Sequence, residues 1–414
     1  MNMSGSSRIV AAITLVGLMA AACGSTPPES PVSHVSLRLT DSTTGFGLRL
    51  ADQLLVAPDA GNVFISPLSA TLMLSMAASA ARGDSQAAML KMLGLDPAVD
   101  PSAEAKQTIE RLAQSDDNVQ LELAQAAWVQ NGLVLDRAYS ARLRNDYKAQ
   151  ISNLDFRSPS APDVVNRWVD HATHHRITQL VDSFDPSIVG YLVNATYFHA
   201  LWRVEFDSAS PEDFRTFSGT TVKVPTMRRS DNVTLLTTKD YQAAILPYKG
   251  GRFSALVLLP RRDLKPSDFA TFLSLQRWQQ ALSYLHKASG SSLGGTCKEP
   301  DTAIAPDAGV ACDGTLVMPK FTLDYKKDLT DSLVALGMPS DAGLPAFCAA
   351  CFLSYVVQKT YLQVDEKGTT AAAATGGAVA TALRVPMVVD HPFAFALIDN
   401  ATDAPLFLGA IGNL

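Results

Sequence analysis

An α+β fold built on large sheets is what this sequence predicts, and three observations predict it. Apolar positions recur at helical spacing through the first third of the 414-residue chain. Strand-like runs rich in Val, Ile, Tyr and Phe fill most of the rest. The two patterns follow one another instead of alternating as in a doubly wound sheet, and no internal repeat is present. With 47% hydrophobic and 18% charged residues, the chain can bury an ample core. A net charge of −6, with no basic block or aromatic-basic stripe, argues against a nucleic-acid partner.

Residues 1–22 read as a signal peptide. Arg8 precedes the apolar segment Ile9–Ala22, which is too short to span a bilayer and suits secretion. Its closing "AAACG" resembles a bacterial lipoprotein signal, making Cys23 the lipidated residue; the alternative is cleavage near Ala22 and a soluble secreted protein. Ser- and Pro-rich text over residues 23–42 predicts a tether. Any membrane contact then runs through a lipid on Cys23. The expected location is outside the cytoplasm, as an outer-membrane lipoprotein or in the periplasm or medium.

The folded part should begin near residue 43. "TTGFGLRLADQLLV" (43–56) and "SATLMLSMAASAARGDSQAAMLKMLGL" (69–95) predict helices. "LELAQAAWVQ" (121–130), "YLVNATYFHALW" (191–202) and "AAILPYKGGRFSALVLLP" (243–260) predict strands. So do "SYVVQKTYLQVDE" (354–366), "PFAFALID" (392–399) and "APLFLGAIG" (404–412). Residues 286–315 lack periodicity and predict a surface insertion.

No motif builds a catalyst. "GSSLG" (290–294) matches a nucleophile-elbow pattern, but Ser292 lies in Gly/Ser-rich text without the required strand and helix. "HATHH" sets His171, His174 and His175 on one helical stretch, without the carboxylate ligand or glutamate base of a metal-site motif, and predicts a solvated face. Phosphate-binding glycine loops are absent, and neither a metal nor a cofactor is expected. Export makes disulfides plausible. Cys297 and Cys312 flank a loop that one bridge would staple, while Cys348 and Cys351, in "CAAC", predict a structural disulfide or a buried thiol pair.

One stretch resists these readings. In "VDEKGTTAAAATGGAVATALRVP" (364–386), no charge or proline occurs from Thr369 to Leu383. A spacer would explain slackness, but not the strand patterns on both sides.

This segment, "NVFISPLSATLMLSMAASAARG" (62–83), "LVNATYFHALWRVEF" (192–206), "VKVPTM" (222–227), "LPYKGGRFSALVLLP" (246–260), "MPKFTLDYKKDL" (318–329) and "HPFAFALIDNATDAPLFLGAIG" (391–412) resemble, in order, signature segments of the serpins. The resemblance runs from about Gly45 to Leu414. It implies a monomeric domain over residues 43–414, with three β-sheets, eight or nine helices and an exposed reactive-centre loop. Most serpins inhibit serine proteases, some inhibit cysteine proteases, and a minority inhibit nothing. In the inhibitors a protease cuts the loop, is acylated, and is trapped as the cut loop enters the central sheet.

Carried onto this chain, the hinge comprises Glu366, Gly368, Thr369, Ala371, Ala373 and Thr375. Alternate residues of an inserted strand enter the core, where a charge would cost several kcal/mol, so small neutral side chains are expected. Family spacing counted forward from Glu366 puts the cut at Ala382–Leu383; counted back from "HPF" it falls one residue earlier, at Thr381. Ala382 suits an elastase-like or subtilisin-like protease, whereas a trypsin-like enzyme would choose Arg384. Ser66, Ser69, Asn194 and Trp202 match positions that gate the sheet, and Gln358 stands where the family usually has histidine.

Overall fold

The computed structural model describes residues 38–57, 60–114, 118–207, 209–288, 308–369 and 386–414. Helix α1 (Arg38–Leu55) starts inside the segment expected to be tether. Leu39 is fully buried, and Thr43 Oγ1 donates to its carbonyl at 2.7 Å, which draws the first turn into the core. After strand β1 (Val63–Ile65), the helical text over 69–95 proves to be two helices, α2 (Pro67–Ala80) and α3 (Gly83–Leu93). They break at Ala81 and Arg82, whose backbones are extended, and Gly83 restarts the helix at φ 56°. Ser66 caps α2 by accepting from the Ser69 N–H, and Pro67 sits in its first turn. Every residue of α2 is buried, as befits a helix that is apolar all round.

The other described helices are α4 (Pro101–Leu112), α5 (Arg137–Asn145), α6 (Ala161–Ala172), α7 (Pro266–Phe272), α8 (Leu275–Ala288) and α9 (Thr330–Ala335). That makes nine among the described residues. The largest ladder joins β1 to β5 (Ser210–Arg215), β6 (Thr221–Thr238), β7 (Tyr241–Pro247), β8 (Phe253–Pro260), β9 (Ala308–Pro319), β13 (Met387–Val388), β14 (Phe393–Asp399) and β15 (Ala404–Ile411). Register shifts interrupt the pairing of β6 with β9 between Arg229 and Leu235. Two smaller ladders together form the central sheet, one of β2 (Val119–Gln130), β3 (Gln150–Leu154), β4 (Gly190–Leu201) and β12 (Gly368–Thr369), the other of β10 (Phe321–Asp328) and β11 (Val357–Val364). The α+β architecture with three sheets is therefore as expected. Residues 286–288 close α8 and 308–315 belong to β9, so structure reaches into the expected insertion from both sides. Pairing with β6 carries β9 back to Ala308, a long-range contact that local composition does not show.

The central sheet separates two cores. Along β2, Ala127 and Val129 face the larger core, while Ala126 and Trp128 face a smaller one beneath α6. Along β4, Phe198 and Ala200 face the larger core, and Tyr191 and Val193 face α6. This is the period of two that the sequence carried.

Candidate functional site

The central sheet is split. Hydrogen bonds link β12-β4-β2-β3 in one piece and β10-β11 in another. Yet β4 and β11 face each other across a narrow cleft. Asn194 and Ala195 share it with Gln358 and Lys359, and Thr196–Phe198 share it with Tyr361–Gln363. The two strands thus run the same way, and no backbone ladder joins them among the described residues. Strand edges carry rows of N–H and C=O groups, and one strand antiparallel to both would pair with each.

The upper end already holds the beginning of such a strand. In β12, Gly368 pairs with Leu201 and Thr369 with Ala200, antiparallel to β4. A Cβ on Gly368 would sit 2.3 Å from the Ala200 carbonyl oxygen, so only glycine permits this approach. Asp365 builds the turn before it, accepting from the N–H groups of Lys367 at 3.0 Å and Gly368 at 3.2 Å. Trp202, fully buried and stacked on Tyr248 at 4.3 Å, donates from Nε1 to the Asp365 carbonyl at 2.9 Å. Its own N–H donates to the Lys367 carbonyl at 2.7 Å. Glu366 pairs with Lys320 at 3.2 Å. Burial pushes the Glu366 carboxyl up, but its own N–H and Lys320 outweigh that and hold it below the ordinary value.

Lower in the cleft, Gln358 reads the backbone of Ser66 with both ends of its amide. Oε1 accepts from the Ser66 N–H at 3.0 Å and Nε2 donates to the Ser66 carbonyl at 2.9 Å. Ser66 Oγ donates to Leu406 O at 2.7 Å, and Thr360 Oγ1 donates to Phe64 O at 2.7 Å. These bonds pin β11 to the β1–α2 junction. Across the cleft, Ser69 Oγ reaches the Asn194 carbonyl at 3.5 Å, and Asn194 Oδ1 accepts from Thr196 Oγ1 at 3.1 Å. Asn194 Nδ2 and both amide atoms of Gln125, its partner on β2, are buried and find no hydrogen-bond partner among the described residues. Gln358 therefore bonds Ser66 and not Asn194, leaving the cleft's two sides joined at this level through Ser66 and Ser69.

Ala371, Ala373, Thr375, Thr381, Ala382, Leu383 and Arg384 lie outside the described residues, and only the backbone of Thr369 is described. Cys23, Ser292 and Cys297 are likewise outside, which leaves the Cys297–Cys312 pairing untested. Cys348 and Cys351 are joined by a disulfide, with Cα atoms 5.1 Å apart. His174 and His175 follow the end of α6 at φ 48° and 63°, so the three histidines do not share a helix face as expected. Nor do they lack carboxylates. His174 Nε2 lies 2.8 Å from Glu122 and His175 Nδ1 lies 2.7 Å from Asp170. No group of three His, Cys, Asp or Glu residues is arranged to hold a metal among the described residues.

Sequence reasoning missed Asp365, Lys320, Tyr248 and Gln125. An aspartate three residues before a glycine was a readable turn signal for the first; the others depend on contacts distant in sequence.

A family model described as Serpin (serine protease inhibitor) matches residues 41–414. Iripin-2 of Ixodes ricinus is 31% identical over 398 residues, covering 91% of this chain and 94% of its own. Leukocyte elastase inhibitor of Sus scrofa is 28% identical over 393 residues, covering 91% and 99%. Among solved structures, the thermophilic serpin Tengpin in its native state superposes with a TM-score of 0.75 at 25% identity, covering 94% of this chain and 98% of its own.

Proposed function

The chain belongs to the serpin family, and we propose that it inhibits serine proteases as a suicide substrate, trapping the acyl-enzyme by drawing its cut loop into the central sheet. The observation that carries this reading is the open cleft between β4 and β11 with Gly368 and Thr369 already paired at its upper end. Continuing that register sets Thr369, Ala371, Ala373 and Thr375 opposite Ala200, Phe198, Thr196 and Asn194 in turn. Directly opposed residues share a face, so these small side chains enter the larger core. Thr375 Oγ1 would then accept from Asn194 Nδ2, which lacks a partner among the described residues. About a dozen ladder bonds at about 0.5–1.5 kcal/mol each give on the order of 10 kcal/mol, comparable to the stability of a whole domain. The uncut form withholds that energy as a kinetic trap.

The bond offered to the protease is Ala382–Leu383, which selects an elastase-like or subtilisin-like target; Thr381 and Arg384 are the other cleavage residues. The domain works as a monomer without cofactor or metal. Residues 1–22 direct export, and Cys23 carries a lipid that holds residues 43–414 at a membrane surface through the tether. A second reading, a serpin cleaved without trapping, is favoured by Gly376–Gly377, each of which weakens an inserted strand by about 0.5–1 kcal/mol relative to alanine. Incubation with elastase, subtilisin and trypsin separates the two. An SDS-resistant band at the summed mass is expected with elastase or subtilisin. Complete cleavage without that band contradicts inhibition.

A further inference from the structure

The lower end of the cleft is occupied by a clamped loop. Leu344 N–H donates to Cys351 O at 2.7 Å, Cys351 N–H donates to Cys348 O at 3.0 Å, and the Cys348–Cys351 disulfide closes the turn. Within it, Phe347 is buried, tilted against Tyr139 at 5.6 Å. Its neighbour Ala346 is fixed on both sides, donating to Ala80 O at 3.2 Å and accepting from the Asp136 N–H at 2.9 Å. The Phe347 ring fills the space in front of Gly190, the first residue of β4, where a Cβ would lie 2.3 Å from Phe347 Cε1. An adjoining cavity of about 360 Å³ is lined by Gly190, Tyr191, Phe347, both cysteines and Val357.

The β12–β4 register shows what meets this ring. Each step forward along the loop matches one step back along β4, which sets Gly377 opposite Leu192 and Val379 opposite Gly190. Because opposed residues share a face, Val379 would point to the side of the sheet on which Phe347 sits, next to its ring. Insertion to the end of β4 brings Val379 against Phe347, which crowds the entering strand there.

We propose that the Cys348–Cys351 disulfide is a redox latch on the lower cleft: oxidised, it holds Phe347 in the path of the entering strand; reduced, it lets Phe347 withdraw so that insertion runs to the end of β4. This rests on the loop-insertion reading above. Both cysteines are partly exposed, so a dithiol can reach them. One thiolate of the dithiol attacks a sulfur to give a mixed disulfide, and its second thiolate displaces the protein sulfur. The dithiol becomes a cyclic disulfide, and two electrons and two protons pass to Cys348 and Cys351. In an oxidising compartment the latch stays closed, so insertion there is slower at the lower end of β4 but still proceeds.

The test measures uptake by the uncut full chain of a synthetic peptide spanning Thr369–Val379, read as a native-gel shift and a gain in melting temperature. The oxidised protein is compared with protein reduced by dithiothreitol and alkylated, with Cys348→Ser/Cys351→Ser, and with oxidised Phe347→Ala. Reduction and both variants are expected to speed uptake at least about threefold. A peptide carrying Val379→Gly is expected to lose most of that dependence. Uptake of the Val379 peptide at the same rate in all forms overturns the latch while leaving insertion standing. So does an equal acceleration of both peptides, which would mark general loosening. Failure of either peptide to enter any form overturns the insertion reading, and the latch with it.

Discussion

Gln358 shows how one side chain can hold a strand in place without titrating. Its amide satisfies both the N–H and the carbonyl of Ser66, inside a region where neither could reach water. Gln358→Ala leaves both groups buried and unpaired, at about 1–3 kcal/mol each, so the melting temperature of the uncut protein should fall by roughly 5 °C. An unchanged melting temperature by calorimetry would contradict that role. His391 does titrate. Nδ1 lies 2.7 Å from Asp390 Oδ1 and Nε2 lies 2.8 Å from the Pro260 carbonyl, an arrangement that suits the doubly protonated ring. Burial lowers its pKa, but Asp390 and Pro260 outweigh burial and raise it above the ordinary 6.5. The stabilisation is therefore full below about pH 6.5 and is lost as pH rises through the raised value. Relative to His391→Gln, the native protein should lose melting temperature between pH 6 and pH 8.5; a constant difference would show that the contact is not charge-dependent.

At the scale of elements, β12 decides the outcome. The backbone of Thr369 pairs with Ala200, which is fully buried, so in the proposed insertion the side chain at 369 would enter the core. Thr369→Arg should abolish the SDS-resistant complex while leaving cleavage at its native rate, because a buried unpaired guanidinium costs several kcal/mol. Undiminished complex on gels would remove this residue from the hinge. The strands here were legible because period-two alternation survives in β4 and β11, each of which separates two environments. Element ends were less legible. The break between α2 and α3 at Ala81–Arg82 has no proline to mark it, and the start of α1 depends on burial of Leu39.

At the scale of the molecule, the three-sheet architecture could be read from ordered segments, but the split in its central sheet could not. A gap between β4 and β11 is a relation between strands more than 150 residues apart in sequence, and nothing local to either records it. Phe347 in front of Gly190 is a contact of the same kind. What the sequence did carry was the complement of the gap: small, neutral residues at 369, 371, 373 and 375, alternating as an inserted strand requires. By the proposed mechanism, the uncut chain stores the energy of that missing strand. Calorimetry of intact protein beside protein nicked within residues 376–384 tests it most directly. The nicked form should melt higher by on the order of 20 °C, the shift that about 10 kcal/mol of added strand stability implies. Equal melting temperatures would mean that the severed loop stays outside the sheet, and the account would fall.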